Sequence, residues 1–234
     1  MFRNVTTFAV LLPILTPISI AQTNKTSVSP ASTATTALAY FEKVHNRSFD
    51  DFLKSIRPYR LAPELKTRVI GMLRKEDIVI ASPKAQAKLD ALAPILKYHD
   101  RSSVIDLKVM RLNQAVVMFL AGAAVLISER ALGMLTAEEL QAVVAHELGH
   151  EYFWNEYEQA RLNKQYEKMQ EIELRCDGMA VIAMNRLGLD PSHLITAITK
   201  LTKSHKGKLI NPESYVSLDE RIRFIQAFRE VLAS

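Results

Sequence analysis

Two histidines four positions apart, with a carboxylate directly after the first, constrain this chain more than any other feature: Val144-Ala-His146-Glu147-Leu-Gly-His150. An α-helix returns to the same face after four residues, so both imidazoles point one way only if this stretch is helical. Facing one way, they can grip a single Zn²⁺. Glu147 then stands beside the pair, placed to hold the attacking water rather than the ion. The flanks agree with a helix. Thr136-Ala-Glu-Glu139 has the form of a capping box, and Leu140, Val143, Val144 and Leu148 supply a buried side. Such a constellation is hardware for hydrolysing an amide bond.

Two histidines leave a catalytic zinc short of one protein ligand. Glu173-Leu-Arg-Cys-Asp177 is the best source, in a second helical stretch over 172–187 that stops at Gly188. Glu173 and Asp177 lie one turn apart on one helix face. Glu173 can therefore bind the ion while Asp177 accepts the remaining N–H of a ligand histidine and fixes its tautomer. Glu171 competes for the third position, two residues away and on a different face. His45, His99, His193 and His205 have no matching ligand spacing.

The rest of the chain organises around this centre. Residues 1–21 carry a short basic start at Arg3, a mostly apolar run, and Ser19-Ile20-Ala21 before Gln22. That order reads as a cleavable signal peptide and an exported protein, the periplasm being the expected compartment. An uncleaved N-terminal anchor holding the protein at the membrane is the alternative. Cys176 is the only cysteine, so no internal disulfide can form. A net charge of +5, with no interleaving of basic and aromatic residues, gives no support to nucleic-acid binding. Residues 22–36, rich in Thr, Ser and Ala, read as a flexible leader.

Helical spacing returns over 37–52, again from Pro63 to Leu73, and over 85–98, so residues 37–102 form a helical region packed on a catalytic domain of 103–234. Residues 104–109 alternate as a half-exposed strand. Residues 115–120 and 124–127 flank Ala121-Gly122-Ala123 as a strand pair joined by a turn. The apolar run across that turn is only thirteen residues long, short of the roughly twenty needed to span a bilayer. A polar stretch over 155–168 reads as a solvated face or loop. Pro191 opens a helix reaching Thr202, and 218–232 closes the chain as an amphipathic helix. The fold class is α+β: a mainly helical, zincin-like domain with a small sheet and one active-site helix.

These motifs together resemble the M48 family of zinc metallopeptidases, the membrane-embedded heat-shock and CAAX-processing proteases and their soluble periplasmic relatives. The resemblance runs from about Val104 to Ile225 through Val125-Leu-Ile-Ser128, Leu135-Thr-Ala-Glu-Glu-Leu140, Val144-Ala-His146-Glu-Leu-Gly-His150 and Glu173-x-x-x-Asp177. It implies zinc held by His146, His150 and Glu173, Glu147 as the base, and Asp177 as the brace of a ligand. The chain departs from the family in two places. Cys176 replaces a common alanine, bringing a thiol that can compete for metal or be oxidised. Tyr215-Val216 stands where a His-Pro pair precedes Ser-x-x-Glu-Arg-Ile, here Ser217-Leu-Asp-Glu-Arg221-Ile222.

Tyr215 can still donate to a tetrahedral oxyanion, and Arg221 can do so or orient Asp177. The expected activity is that of a zinc endopeptidase acting on unfolded or extended polypeptides, in envelope protein quality control. Peripheral contact with the membrane or with envelope proteins fits that setting. The segment 115–120 would serve as an edge strand for an extended peptide. A metal-stabilised, chaperone-like binding protein with little turnover is the alternative.

Overall fold

The structure, a computed structural model, describes residues 30–45, 48–204 and 215–233. The signal-peptide stretch 1–21 and the first part of the leader lie outside the described residues, as does most of the Lys/Gly-rich segment after Lys203. The described chain is a mainly helical domain with one four-stranded sheet.

Its central element is a 26-residue helix, α7 (Ala137–Leu162). The capping box forms as expected: Thr136 Oγ1 accepts from Glu139 N at 3.2 Å, and Glu139 Oε2 accepts from Thr136 N at 2.8 Å. The polar stretch begun at Asn155 takes the solvated-face alternative and continues this helix to Leu162. No Gly or Pro interrupts it, and Glu, Gln and Arg are good helix formers, so polarity there marks an exposed face. Lys164, in the left-handed region at φ 55°, then turns the chain back. The returning helix, α8 (Tyr166–Arg186), starts six residues before the expected Ile172. It ends in a Schellman motif: Gly188 at φ 69° donates to Asn185 O, and Leu189 N donates to Met184 O.

Helices α7 and α8 form an antiparallel hairpin that is buried along most of its length. The hairpin closes unusually tightly at one point. A Cβ on Gly149 would lie only 3.0 Å from Cys176 Cα, so the two backbones touch where the His146–His150 and Glu173–Asp177 stretches sit. α9 (Ser192–Ser204) and α10 (Leu218–Ala233) pack on this pair. Lys200 of α9 meets Glu139 of α7 at 2.8 Å.

The sheet runs β1–β2–β4–β3, from β1 (Ile78–Val79), β2 (Asp106–Met110), β3 (Val117–Leu120) and β4 (Ala124–Ser128). β2 and β4 are parallel; β1 and β3 are antiparallel edges. Ala121 (φ 43°) and Gly122 (φ 74°) make a type I′ turn closed by Ala123 N to Leu120 O, the turn whose twist suits a hairpin. The apolar run 115–127 is therefore a largely buried strand pair. Among the described residues, no helix is long and apolar enough to cross a membrane. α6 (Glu129–Met134) links β4 to α7.

The N-terminal part differs from expectation in three places. α1 (Pro30–His45) claims residues 30–36 that composition assigned to the leader. Thr33, Ala37 and Phe41 recur every four residues and are buried, so tertiary contact overrides a weakly apolar composition. The single helix expected over 37–52 is two, with α2 (Phe49–Ser55) opened by Ser48. The helix expected over 85–98 also divides, into α4 (Pro83–Asp90) and α5 (Ala93–Tyr98). Pro94 begins the second piece because a first-turn N–H has no partner to lose. Pro63 opens α3 (Pro63–Gly71) in the same way, and Pro83 opens α4 after the Ser82 cap. One hydrophobic core takes in Phe41, Leu92, Leu140, Ile172 and Phe224, so the packing crosses residue 103 without a seam.

Candidate metal centre

α7 presents His146 and His150 on one face, their rings edge to face with centroids 5.1 Å apart. α8 brings Glu173 opposite them. Its Oε2 lies 3.5 Å from His146 Nε2 and its Oε1 3.6 Å from His150 Nε2. Around a tetrahedral zinc with bonds of about 2.0–2.1 Å, neighbouring ligand atoms stand roughly 3.3–3.5 Å apart. Each imidazole thus faces one Glu173 oxygen, a different one for each ring, at a spacing compatible with a shared ion. Direct hydrogen bonds would draw the same atoms to about 2.9 Å.

Glu147 is the second carboxylate at this site. With His146 and His150 it forms a group whose possible ligand atoms all lie within 4.8 Å of one another. That distance alone would admit Glu147 as a ligand. Its Oε2, however, accepts a 2.8 Å hydrogen bond from the backbone N–H of Phe119 on β3. Glu173 faces both imidazole Nε2 atoms, one with each oxygen.

A further layer holds the imidazole. Asp177, fully buried, meets His146 Nδ1 at 2.8 Å through Oδ1. Arg221 of α10 grips the same carboxylate with both arms of its fork, Nε donating to Oδ2 at 2.8 Å and Nη2 to Oδ1. Arg221 Nη2 also lies 3.3 Å from His146 Nδ1. Arginine has no acceptor, so an Nδ1 that donates to Asp177 only touches it. In the neutral ring this assigns the proton to Nδ1 and leaves the Nε2 lone pair facing Glu173 and His150.

The electrostatics follow from charges confined in a dry place. Burial pulls the His146 pKa down, but the Asp177 carboxylate bonded to Nδ1 and the Glu173 carboxylate facing Nε2 outweigh it and raise it to about 9. Glu173 goes the other way: burial would raise its pKa, yet His150, His146 and Arg221 hold it at about 2. Glu147 is pushed up, chiefly by burial and in part by Glu173. Asp177 stays below the usual carboxylate range, where Arg221 and His146 overcome its burial. The metal-free site thus keeps two ionised carboxylates facing a histidine that readily holds a proton.

The remaining sequence candidates fall into place unequally. Arg221 makes the orienting contact to Asp177. Tyr215 lines a small cavity together with His146 and Glu147, but its hydroxyl bonds Thr202 Oγ1 at 3.0 Å. Glu171 is not at the centre; it faces Arg175 and Lys168 on another side of α8. Cys176 is wholly buried against Gly149, and burial raises its thiol pKa well above normal, which makes it a packing residue.

Sequence reasoning missed three features: the Phe119 N–H, the close approach at Gly149, and the buried pair of Arg101 Nε with Glu151 Oε2 at 2.7 Å. That pair fastens the residue after His150 to the segment before β2. Only the glycine within the motif carries a visible sequence signal. Comparison with known proteins finds no matching family model and no matching curated protein, so the family resemblance rests on the motifs themselves.

Proposed function

We propose that this protein is a zinc-dependent metalloendopeptidase of the M48 type, cutting unfolded or exposed polypeptide segments. One observation carries the reading: the His146 and His150 Nε2 atoms each face a Glu173 oxygen at 3.5 and 3.6 Å, with a second carboxylate, Glu147, beside them and anchored to an edge strand. In this reading His146, His150 and Glu173 hold the ion. Zinc bound there would polarise the scissile carbonyl and lower the pKa of water.

The protein's own groups do the remainder. Glu147, with a pKa raised by burial, takes a proton from water and passes it to the leaving amine. The Phe119 N–H keeps that carboxylate aimed. Asp177 holds the His146 tautomer, and Arg221 holds Asp177. Tyr215 takes the part of oxyanion donor once its hydroxyl leaves Thr202. Strand β3, at the sheet edge next to Glu147, receives the substrate as an added strand. Export through residues 1–21, or retention at the membrane by an uncleaved N-terminus, belongs to the same proposal, as does a role in envelope quality control. These rest on the N-terminal sequence and the family resemblance.

The test is casein cleavage by the wild-type protein and by Glu147→Gln, with zinc measured in both. Zinc in both and cleavage by the wild type alone is the expected result. Zinc in both without cleavage would favour a metal-stabilised binding protein. Folded protein that takes up no zinc would end the reading.

A further inference from the structure

β3 is an edge strand whose Phe119 N–H points away from β4, to Glu147. Antiparallel ladders alternate, so Val117, two residues earlier, turns its N–H and C=O the same way. Side chains two apart on a strand also share a face. Val117 and Phe119 thus look toward α7 together, whereas Met118, 36% exposed, does not.

Each of these two side chains borders a different cavity. Val117 borders one of about 140 Å³, walled by Val143, Ile198 and Leu201 and open to His146 and Glu147. Phe119 borders one of about 550 Å³ beyond it, between Trp154 of α7 and the segment bearing Arg57 and Tyr59. Apolar surface is uncovered there. Tyr59 is 100% exposed and Trp154 39% exposed, with the Trp154 ring edge-on to Phe119 at 6.4 Å. The two cavities are linked along β3, where Val117 borders one and Phe119, whose N–H holds Glu147, borders the other.

We propose that the protein selects extended segments carrying two apolar side chains two positions apart, a medium one in the small cavity and a large aromatic one in the large cavity. This deepens the peptidase reading and rests on it. A peptide paired with β3 through the Val117 N–H and C=O and the Phe119 C=O, the Phe119 N–H staying with Glu147, advances about 6.6–6.8 Å per two residues and presents those two side chains to the same face, opposite Val117 and Phe119. Side chains three apart would point to opposite faces, so an amphipathic-helix pattern is rejected.

Size sorts the two positions. A cavity of about 150 Å³ is known to hold benzene, which makes the smaller one fit for an isobutyl or phenyl group and too small for an indole. The larger lies within the roughly 300–1,000 Å³ of ordinary ligand pockets. The selected pattern is the period-two apolar pattern of a half-buried β-strand. A folded protein hides such a segment and an unfolded one presents it.

Capped decapeptides on one polar background test this: Leu-x-Trp and Trp-x-Leu, which match the two directions of pairing with β3, and Leu-x-x-Trp and Leu-x-Ala beside them. Cleavage is measured with the zinc-loaded full chain, and binding by fluorescence anisotropy with Glu147→Gln. The expected result is a kcat/KM for the better of Leu-x-Trp and Trp-x-Leu about tenfold above Leu-x-x-Trp and Leu-x-Ala, with the same ranking in binding. Trp154→Ala should collapse that preference to within about twofold. Leu201→Phe, which narrows the small cavity, should move the preference there from Leu to Ala. Equal handling of Leu-x-x-Trp, or a tryptophan preference that survives Trp154→Ala, overturns the proposal. If no peptide is cleaved, the peptidase reading fails separately, and the binding ranking upholds or overturns the two-cavity inference by the same criterion.

Discussion

Gly149→Ala adds one methyl group inside the metal-binding motif and touches no ligand. The added Cβ would stand 3.0 Å from Cys176 Cα, 3.1 Å from its Cβ and 3.3 Å from its carbonyl oxygen. Carbon contacts settle near 3.5–4.0 Å, so α7 and α8 must part by about half an ångström. The obstacle is mostly backbone and cannot rotate away. Alanine gains up to about 1 kcal/mol in helix propensity, against about 1–3 kcal/mol for overpacking, so overpacking wins.

The larger effect falls on the metal centre. Glu173 lies one turn from Cys176 on α8, while both histidines ride on α7. A shift of half an ångström exceeds the roughly 0.2 Å that metal-ligand distances tolerate. Zinc affinity should fall about ten- to a hundredfold, read by competition with a chromophoric chelator, and the metal-free protein should melt lower. Gly133→Ala on α6 is the control. Nothing lies within 4 Å of its added Cβ, so stability should hold or rise and zinc affinity should not change. Wild-type zinc affinity and melting temperature in Gly149→Ala would refute the argument.

Four further outcomes are expected. Asp177→Asn, which removes the carboxylate between His146 and Arg221, should weaken zinc binding about ten- to a hundredfold; unchanged affinity would mean that the brace does not tune the ligand. Zinc affinity should climb as pH rises toward about 9, because the metal must displace the proton that His146 holds. In the metal-free protein the sign reverses for stability: the raised His146 pKa stabilises the fold fully below the unfolded value near 6.5, and that contribution is lost as pH rises through about 9. Calorimetric zinc titrations and metal-free melts across pH 6–10, approximate limits chosen around these pKa values, check both parts.

Buried His99 behaves oppositely. Burial, then Arg101 and Arg57, lower its pKa to about 3, so the unfolded chain binds the extra proton first as pH falls below about 6.5. Stability should drop by about 3 kcal/mol by pH 4, and His99→Phe should flatten that part of the curve in denaturant titrations. Tyr215→Phe should lower kcat at least tenfold with zinc content unchanged. Undiminished turnover would leave Tyr215 as the packed partner of Thr202.

Local rules are legible in the sequence wherever a residue acts on near neighbours. The i, i+4 histidines, the Thr136–Glu139 box, the Ala121-Gly122 turn and the stop at Gly188 follow from periodicity, capping and left-handed geometry. They determined the helix bearing both histidines, the hairpin and the end of α8 before any packing was considered. Local reasoning erred where composition and burial disagree: residues 30–36 look like a leader, yet α1 includes them because Thr33, Ala37 and Phe41 find a place in the core. The polar residues after Asn155 read equally as a solvated face or a loop, and the structure takes the first, since a helix can remain continuous while one side stays in water.

Partners that meet across the fold were decided by tertiary structure alone. The helix period places Glu171 and Glu173 on different faces but does not say which face turns to α7. The Gly149–Cys176 contact and the crossing it permits put Glu173 before the imidazoles and leave Glu171 to Arg175. The same packing supplies the Phe119 N–H to Glu147, carries Arg221 from the last helix to Asp177, and turns the Tyr215 hydroxyl to Thr202. Spacing along a chain specifies direction within one element; only packing specifies what stands opposite, because that depends on how closely two backbones can approach.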